Sequence, residues 1–364
     1  MPGPRNIARG AQDQVRFCRS ADGVRIAFAS HGDGPPLLVN TCWLSHLQHD
    51  WESPVWRHFL AELGEVATMT RYDERGFGLS DWDAEDFSLD ARVADLDAVV
   101  AAAGLDRFAL LGMAQGGPVA IAYAHRYPQR VSRLILFATY AAGSRGPDQL
   151  AMEEAFAHMI RVGWARPDGV FRRVFTNLMI PGATEEQMCW FDELQRVSTS
   201  ADVLLAARQE RLKTDVTGLL GELTVPTIVL HARHEQMTEF PEARLLASSI
   251  PGARLVPLDS ANHILLAGEP AWQVFRDEVT TFVELDRTDG AEATAAVGAL
   301  TAREVEVLRV AAEGLDNEAI ARRLSLSART VERHLSNVYV KLGVSGRVAR
   351  AAAVAHLMRE PSPG

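Results

Sequence analysis

The sequence predicts a two-part chain, an α/β body on a doubly wound sheet followed by a small all-α unit of four helices. Three observations predict it. Short apolar runs alternate with amphipathic helical stretches across the first 285 residues, and strand–helix alternation over such a length means a layered α/β sheet. Roughly Ser144 to Leu220 breaks that alternation with helix alone, as a cap inserted between late strands would. Beyond residue 300 the chain changes sign: residues 301–364 carry ten Lys/Arg against seven Asp/Glu, so of the net charge of −10 the first 300 residues hold −13.

In chain order, Val24-Arg25-Ile26-Ala27-Phe28 alternates as a strand with one face in a core. Pro36 to Asn40, Phe108 to Gly112, Leu134 to Phe137 and Thr227 to His231 are continuous apolar runs, as strands buried on both faces are. Val93 to Ala103 and Pro118 to His125 carry helical periodicity between them. In the cap, Phe156, Met159, Phe171, Phe175, Met179, Met188, Trp190 and Phe191 recur at helical spacing, either as cap core or as ligand-cavity lining. Residues 286–298, small and polar without apolar periodicity, read as an interdomain linker. The expected domains are therefore 1–285 with a cap at about 144–220, the linker at 286–298, and a helical domain at 299–358.

Composition narrows the function classes. A hydrophobic content of 47% with 23% charged residues is that of a globular chain, and no apolar run approaches the roughly 18–20 residues of a membrane helix. Met1 to Ala11 lacks the apolar core of a signal peptide, and Cys18, Cys42 and Cys189 are too widely spaced for a disulfide framework or a metal site. A cytoplasmic protein without cofactor or metal is the expectation. His46, His49 and Asp50 lie close together in sequence, but no other cluster has reason to converge on them, so they read as a polar loop near a pocket entrance, with Trp43 and Trp51 as cavity lining. A basic tail on an acidic body suits a nucleic-acid-binding module joined to a body that does not bind nucleic acid.

Gly112-Met113-Ala114-Gln115-Gly116-Gly117 sits between a buried strand and a helix. Small residues there permit a sharp turn that presents the central side chain, the setting of a G-x-S-x-G nucleophile. Tyr72-Asp73-Glu74-Arg75-Gly76-Phe77-Gly78-Leu79-Ser80-Asp81 and Ala261-Asn262-His263, followed by Gly268-Glu269-Pro270, are two further motifs in the same order. On these segments the body, over about residues 15–285, resembles the α/β-hydrolase superfamily, whose fold carries a helical cap. The resemblance places His263 at the general-base position and Glu235, where relatives usually have Asp, at the acid that orients it. It places Ala114 at the nucleophile, and the backbone N–H groups of Gln115 and of Cys42 or Trp43 at the oxyanion hole. Alanine has no oxygen to form an acyl-enzyme, and losing a triad nucleophile lowers the rate by a factor on the order of 10⁶. Two origins suit Ala114: a site that naturally lacks its nucleophile, or a serine replaced to trap an uncleaved ligand. Met113, Trp43, Phe156, Met159, Phe175 and Met237 are the expected ligand contacts.

In the tail, Thr301 caps a helix and Glu304 completes a capping box; Val305, Leu308, Ala311 and Ala312 follow at helical spacing, and Gly314 ends the helix. Asn317 to Leu324 forms the next, Ser327 caps a third over Ala328 to Leu342 that Gly343 closes, and Arg347 to Met358 is a fourth. With L-T-x-R-E at 300–304, G-L-x-N-E-x-I-A at 314–321, S-x-x-T-V-x-x-H-x-x-N at 327–337 and K-L-G-V at 341–344, this unit resembles the LuxR-type helix-turn-helix over its full length. Asp316, where relatives often have Ser or Thr, should alter only a helix cap. The resemblance implies double-stranded DNA as partner, with the 328–342 helix in the major groove. Glu332, Arg333 and Ser336 would read bases, and Arg329, Thr330, Asn337 and Lys341 would hold phosphates. It also implies a homodimer through the fourth helix, where Val354, Leu357 and the alanines at 351–353 are equally suited to a core. The whole reads as a ligand-responsive transcriptional regulator that senses a small hydrophobic ester, lactone or acyl compound. The alternatives are a serine hydrolase with a regulatory DNA-binding tail, inactivated by alanine at 114, and a constitutive DNA binder whose body only dimerises.

Overall fold

The structure is a computed structural model that describes residues 14–40, 44–143, 147–298, 300–342, 344 and 349–358. The chain divides into two compact units, Met1–Val283 and Glu284–Gly364.

The first unit is built on eight strands, β1 (Arg16–Arg19), β2 (Arg25–His31), β3 (Pro36–Asn40), β4 (Thr68–Tyr72), β5 (Phe108–Met113), β6 (Val131–Phe137), β7 (Thr227–Ala232) and β8 (Arg254–Leu258). They form one sheet in the order β1-β2-β4-β3-β5-β6-β7-β8. β1 and β2 are antiparallel to their neighbours, and from β4 onward every pairing is parallel. The pleat divides each central strand between two apolar layers: Leu37, Val39, Leu111, Ile135 and Leu230 pack into one, and Leu38, Leu110, Leu134, Leu136 and Val229 into the other. Each such side chain removed from water contributes about 1.5–3 kcal/mol, which fixes the register, since a slip by one residue would exchange the layers.

The helices are α1 (Arg57–Gly64), α2 (Leu89–Ala103), α3 (Gly116–Arg126), α4 (Pro147–Gly163), α5 (Val170–Met179), α6 (Glu185–Ser198), α7 (Ala201–Lys213), α8 (Phe240–Ser249) and α9 (Pro270–Gly298). Helices α4 to α7 form the helical insertion between β6 and β7, and the expected cap start at 144 falls outside the described residues. β4 gives no apolar run in sequence because Arg71 sits in it, 2% exposed, with Nη1 donating to Asp50 at 3.0 Å and Nη2 to the Leu47 carbonyl at 2.6 Å. Residues 286–298, read as a linker, continue α9 as helix: their alanines and glutamate are good helix formers, and polarity alone does not end a helix.

The second unit holds α10 (Ala302–Ala312), α11 (Asn317–Leu324), α12 (Ala328–Lys341) and α13 (Ala349–Met358). Thr301 and Glu304 form the capping box, Gly314 follows α10 at φ +81°, and the Asp316 side chain caps α11 by accepting from Ala319 N–H at 2.8 Å. Ser325, at φ +54°, turns the chain between α11 and α12, and Ser327 Oγ accepts from Thr330 N–H at 3.1 Å. Val307, Leu308, Ile320, Val331, Leu335, Val338 and Ala353 make the core of this unit. Gly343 lies outside the described residues.

Candidate functional site

Ala114 stands between β5 and α3 at φ +47°, a left-handed conformation that a non-glycine residue adopts only when its surroundings impose it. Ala114 N–H donates to Phe137 O at 3.0 Å, and its carbonyl accepts from Gly117 N–H at 3.1 Å and from the Thr139 hydroxyl. The turn is this tight because its glycines allow it: a Cβ on Gly112 would lie 2.7 Å from Ala120 Cβ, and one on Gly117 would lie 1.9 Å from Thr139 Oγ1. Asn40, at the end of β3, donates to Gly116 O at 3.2 Å and ties the elbow to the neighbouring strand. The side chain at 114 is thereby aimed into the cavity described below, and it is a methyl group.

The loops after β7 and β8 bring Glu235 and His263 together. His263 Nδ1 donates to Glu235 Oε2, and the backbone N–H of His263 donates to Met179 O at 2.8 Å, fixing this loop to the cap. A second imidazole lies beside the other carboxylate oxygen: His231 Nε2 is 2.8 Å from Glu235 Oε1 and 2.8 Å from Thr238 O. Both are acceptors, so Nε2 carries the proton in His231. Burial pushes the Glu235 pKa up, but the two histidines and their hydrogen bonds outweigh it and hold the carboxyl below its ordinary value. An ionised Glu235 keeps the proton on Nδ1 of His263, which makes Nε2 the basic nitrogen of the neutral ring.

A cavity of about 940 Å³ is lined by Ala114, Gln115 and His263 at the elbow, by Met152, Phe156, Met159, Val174, Leu178 and Met179 from the cap, and by Gln236, Met237 and Thr238 after β7. Its size is that of a small-molecule site. Met152 and Val174 are also solvent-exposed, so the cap side of the cavity opens to water. Of the ligand contacts expected from sequence, Phe156, Met159 and Met237 line this cavity. Phe175 does not: it packs behind Phe156 in the cap core, ring centroids 5.1 Å apart, on the buried face of α5. Met113 does not line it either, but borders a small void of about 30 Å³ beside Asp50 and Arg71. Cys42 and Trp43 lie outside the described residues.

The polar loop expected near the pocket entrance packs against the sheet and the cap. His49 stacks on Trp190 of α6 at 4.6 Å, Trp51 lies edge-on to His31 at 4.8 Å, and Asp50 is buried against Arg71, its pKa raised by that burial to about 7. None of them lines the large cavity. Among the described residues no group of three His, Cys, Asp or Glu is arranged to hold a metal, and no helix is long and apolar enough to cross a membrane. Sequence reasoning missed His231, although its spacing of four from Glu235 at a strand end was a usable signal, and it missed Tyr140, Arg208 and Arg211 of the cavity wall.

In the second unit α12 is amphipathic. Val331, Leu335, Val338 and Leu342 are buried, while Arg329, Glu332, Arg333, Ser336 and Asn337 are exposed on the remaining faces. Thr330 is half-buried, its hydroxyl 2.8 Å from Ser327 Oγ at the helix start. Lys341 Nζ lies 2.7 Å from Glu304 Oε2, the carboxylate of the capping box. On α13, Ala353 is buried and Val354 and Leu357 pack against the core of this unit, so they hold the helix to its own domain.

Two family models match the chain, "alpha/beta hydrolase fold" over residues 35–270 and "Bacterial regulatory proteins, luxR family" over 298–354. Pimeloyl-[acyl-carrier protein] methyl ester esterase of Nitrosomonas europaea is 26% identical over 237 residues, 64% of this chain and 90% of that protein. A Mycobacterium bovis protein named as an HTH-type transcriptional regulator is 42% identical over 72 residues, 20% of this chain and only 8% of its own length. Among solved structures, an esterase from a Rhodococcus species superimposes with a TM-score of 0.62 at 25% identity, covering 74% of this chain and 98% of its own. The chain belongs to the alpha/beta hydrolase fold family through its body and carries a C-terminal DNA-binding domain of the bacterial luxR family of regulatory proteins.

Proposed function

We propose that this DNA-binding regulator uses its hydrolase-like body as a sensor, holding a small ester, lactone or acyl compound in a pocket without a nucleophile and reporting occupancy to DNA as a homodimer. The observation that carries the reading is the elbow. Ala114 keeps the left-handed turn, and His263 and Glu235 keep their hydrogen bond, around a cavity of about 940 Å³ in which position 114 offers no oxygen. Such a pocket can recognise a carbonyl compound yet release it intact. Gln115, whose side-chain Nε2 is buried without a partner among the described residues, supplies a donor on the cavity wall. On α12, Arg333 and Glu332 are presented for base edges, and Arg329 and Asn337 for phosphates.

Ligand binding changes DNA affinity only if the two states of the protein hold the ligand with different affinity, and a coupling of about 1–3 kcal/mol is the usual scale. Footprinting on the promoter regions of the host tests this: an inverted-repeat site whose occupancy changes with ligand is expected, and equal occupancy with every ligand that binds removes the sensor role. A second reading, a hydrolase whose activity lapsed with its serine, is favoured by one observation. The strained turn and the ion-paired histidine persist, though a binding pocket alone needs neither.

A further inference from the structure

The wall of the cavity formed by α7 carries two arginines, one buried and one half-buried. Arg208 and Arg211 line it together with Tyr140. Arg208 is paired with Glu153, while Arg211, 7% exposed, has Glu74 Oε2 at 3.3 Å, and its Nε has no partner among the described residues. Arg92, 3% exposed, touches Thr214 Oγ1 at 3.5 Å, just past Arg211 at the end of α7, and has no carboxylate within ion-pair distance among the described residues. Arg211 and Arg92, two buried guanidinium groups, thus have the single carboxylate of Glu74 in ion-pair contact. Burial, with Arg92 and Arg208 close by, lowers the pKa of Arg211 to about 10, the direction expected of a cation short of anions. The other carboxylates of the wall, Glu239 and Glu242, come from the start of α8 beside the Glu235 loop; Glu239 is exposed and Glu242 half-buried. Burying charge is costly unless it is balanced, and with the two buried guanidinium groups of Arg211 and Arg92 set against the one carboxylate of Glu74, the Arg211 end of the wall is suited to an anion.

We infer that the ligand is bifunctional, an ester, lactone or acyl carbonyl at the Ala114–His263 end of an apolar chain and a free carboxylate held by Arg211 and Tyr140. The inference rests on the sensor reading above and names the class of compound it senses. Between the two ends, Phe156, Met159 and Leu178 supply the apolar lining for the chain, and the Arg208 guanidinium is stacked over the Phe156 ring at 5.5 Å, so the charged wall and the apolar wall adjoin. A carboxylate meets the fork of a guanidinium through two parallel hydrogen bonds, which a neutral ester of the same length cannot accept with comparable strength.

The test is calorimetric titration of the full chain with a matched pair of probes, the monomethyl and the dimethyl ester of decanedioic acid. The monoester is expected to bind about tenfold or more tightly, the scale of one hydrogen bond to a charged group. Arg211→Gln combined with Glu74→Gln replaces the buried ion pair by a neutral one, and should reduce that preference to within about twofold while the thermal melt stays cooperative. Should the double variant fail to fold, Arg211→Lys, which keeps the charge but loses the fork, is expected to lower the preference as well. Equal or tighter binding of the dimethyl ester by the unaltered protein overturns the inference and leaves the sensor reading standing, as does a preference that survives both variants. Binding of neither probe refutes the inference and counts against a cavity that takes acyl compounds.

Discussion

Restoring the missing oxygen is the perturbation whose outcome the geometry constrains most closely. Ala114→Ser adds one hydroxyl to a Cβ already held at φ +47°, in a turn fixed by the Phe137, Gly117 and Thr139 hydrogen bonds, so the backbone has no rearrangement to make. The base is in place: Glu235 is ionised, holds His263 through Nδ1, and leaves Nε2 as the proton acceptor. A complete triad contributes on the order of 10⁶ in rate, of which the base and its orienting acid are already present. The variant should therefore hydrolyse p-nitrophenyl butyrate at least about 10³-fold faster than the Ala114 protein, and a mass increment on the protein should reveal an acyl-enzyme under single-turnover conditions. Adding His263→Ala to that variant should return the rate to background. A folded Ala114→Ser protein as inert as the original, with no acyl adduct, would refute the view that the elbow, His263 and Glu235 form a hydrolytic site lacking only its nucleophile.

Four further outcomes follow from the same geometry. Glu235→Gln should lower stability at pH 7 relative to the unaltered protein. Because the folded pKa of Glu235 lies below its ordinary 4.5, the stabilisation is present above that value and fades as pH falls through the folded pKa, so the melting temperatures of the two proteins should converge in acid. His58 works in the opposite sense. Burial lowers its pKa from 6.5 to about 4, so the unfolded chain takes up the proton first and stability falls by up to about 3 kcal/mol as pH drops from 6.5 to 4; urea titrations of His58→Gln should show a flatter acid limb. Arg333→Ala should weaken binding to the specific operator by about 1–3 kcal/mol and relax base preference, whereas Arg329→Ala should weaken all sequences alike and lower the salt slope by about one, as fluorescence polarisation across a salt series would show. Lys341→Ala should lower the melting temperature by removing the cation beside the buried Glu304, with little change in the salt slope.

The elements legible in the sequence were those whose signal is local. β3, β5, β6 and β7 are apolar runs, and each of them ends within three residues of its expected bounds. Thr301 with Glu304, and Ser327 with Thr330, are caps that four consecutive residues specify. What sequence hid depends on distant partners. β4 contains an arginine made tolerable in a sheet by Asp50 and the Leu47 carbonyl, more than twenty positions earlier. The role of His231 appears only when the loop after β7 folds Glu235 back over it. Phe156 and Phe175 are alike in the sequence, yet one faces the cavity and the other the cap core, because the choice is set by how α4 and α5 pack. The acid–histidine pair was legible through motif order, and the arginine wall was not, since Arg92, Arg208 and Arg211 meet across more than a hundred residues of chain.

The most direct test of a sensing body is a polarisation titration of labelled operator DNA with the full-length protein, with and without a compound first shown by calorimetry to bind at one per chain. Sensing predicts that the two curves separate by a factor of about 5–150, and that the same compound binds the DNA-bound protein with an affinity changed by the same factor. Superimposable curves at saturating compound would mean that the occupied pocket and the DNA-reading helix are not coupled, and the account would fail there.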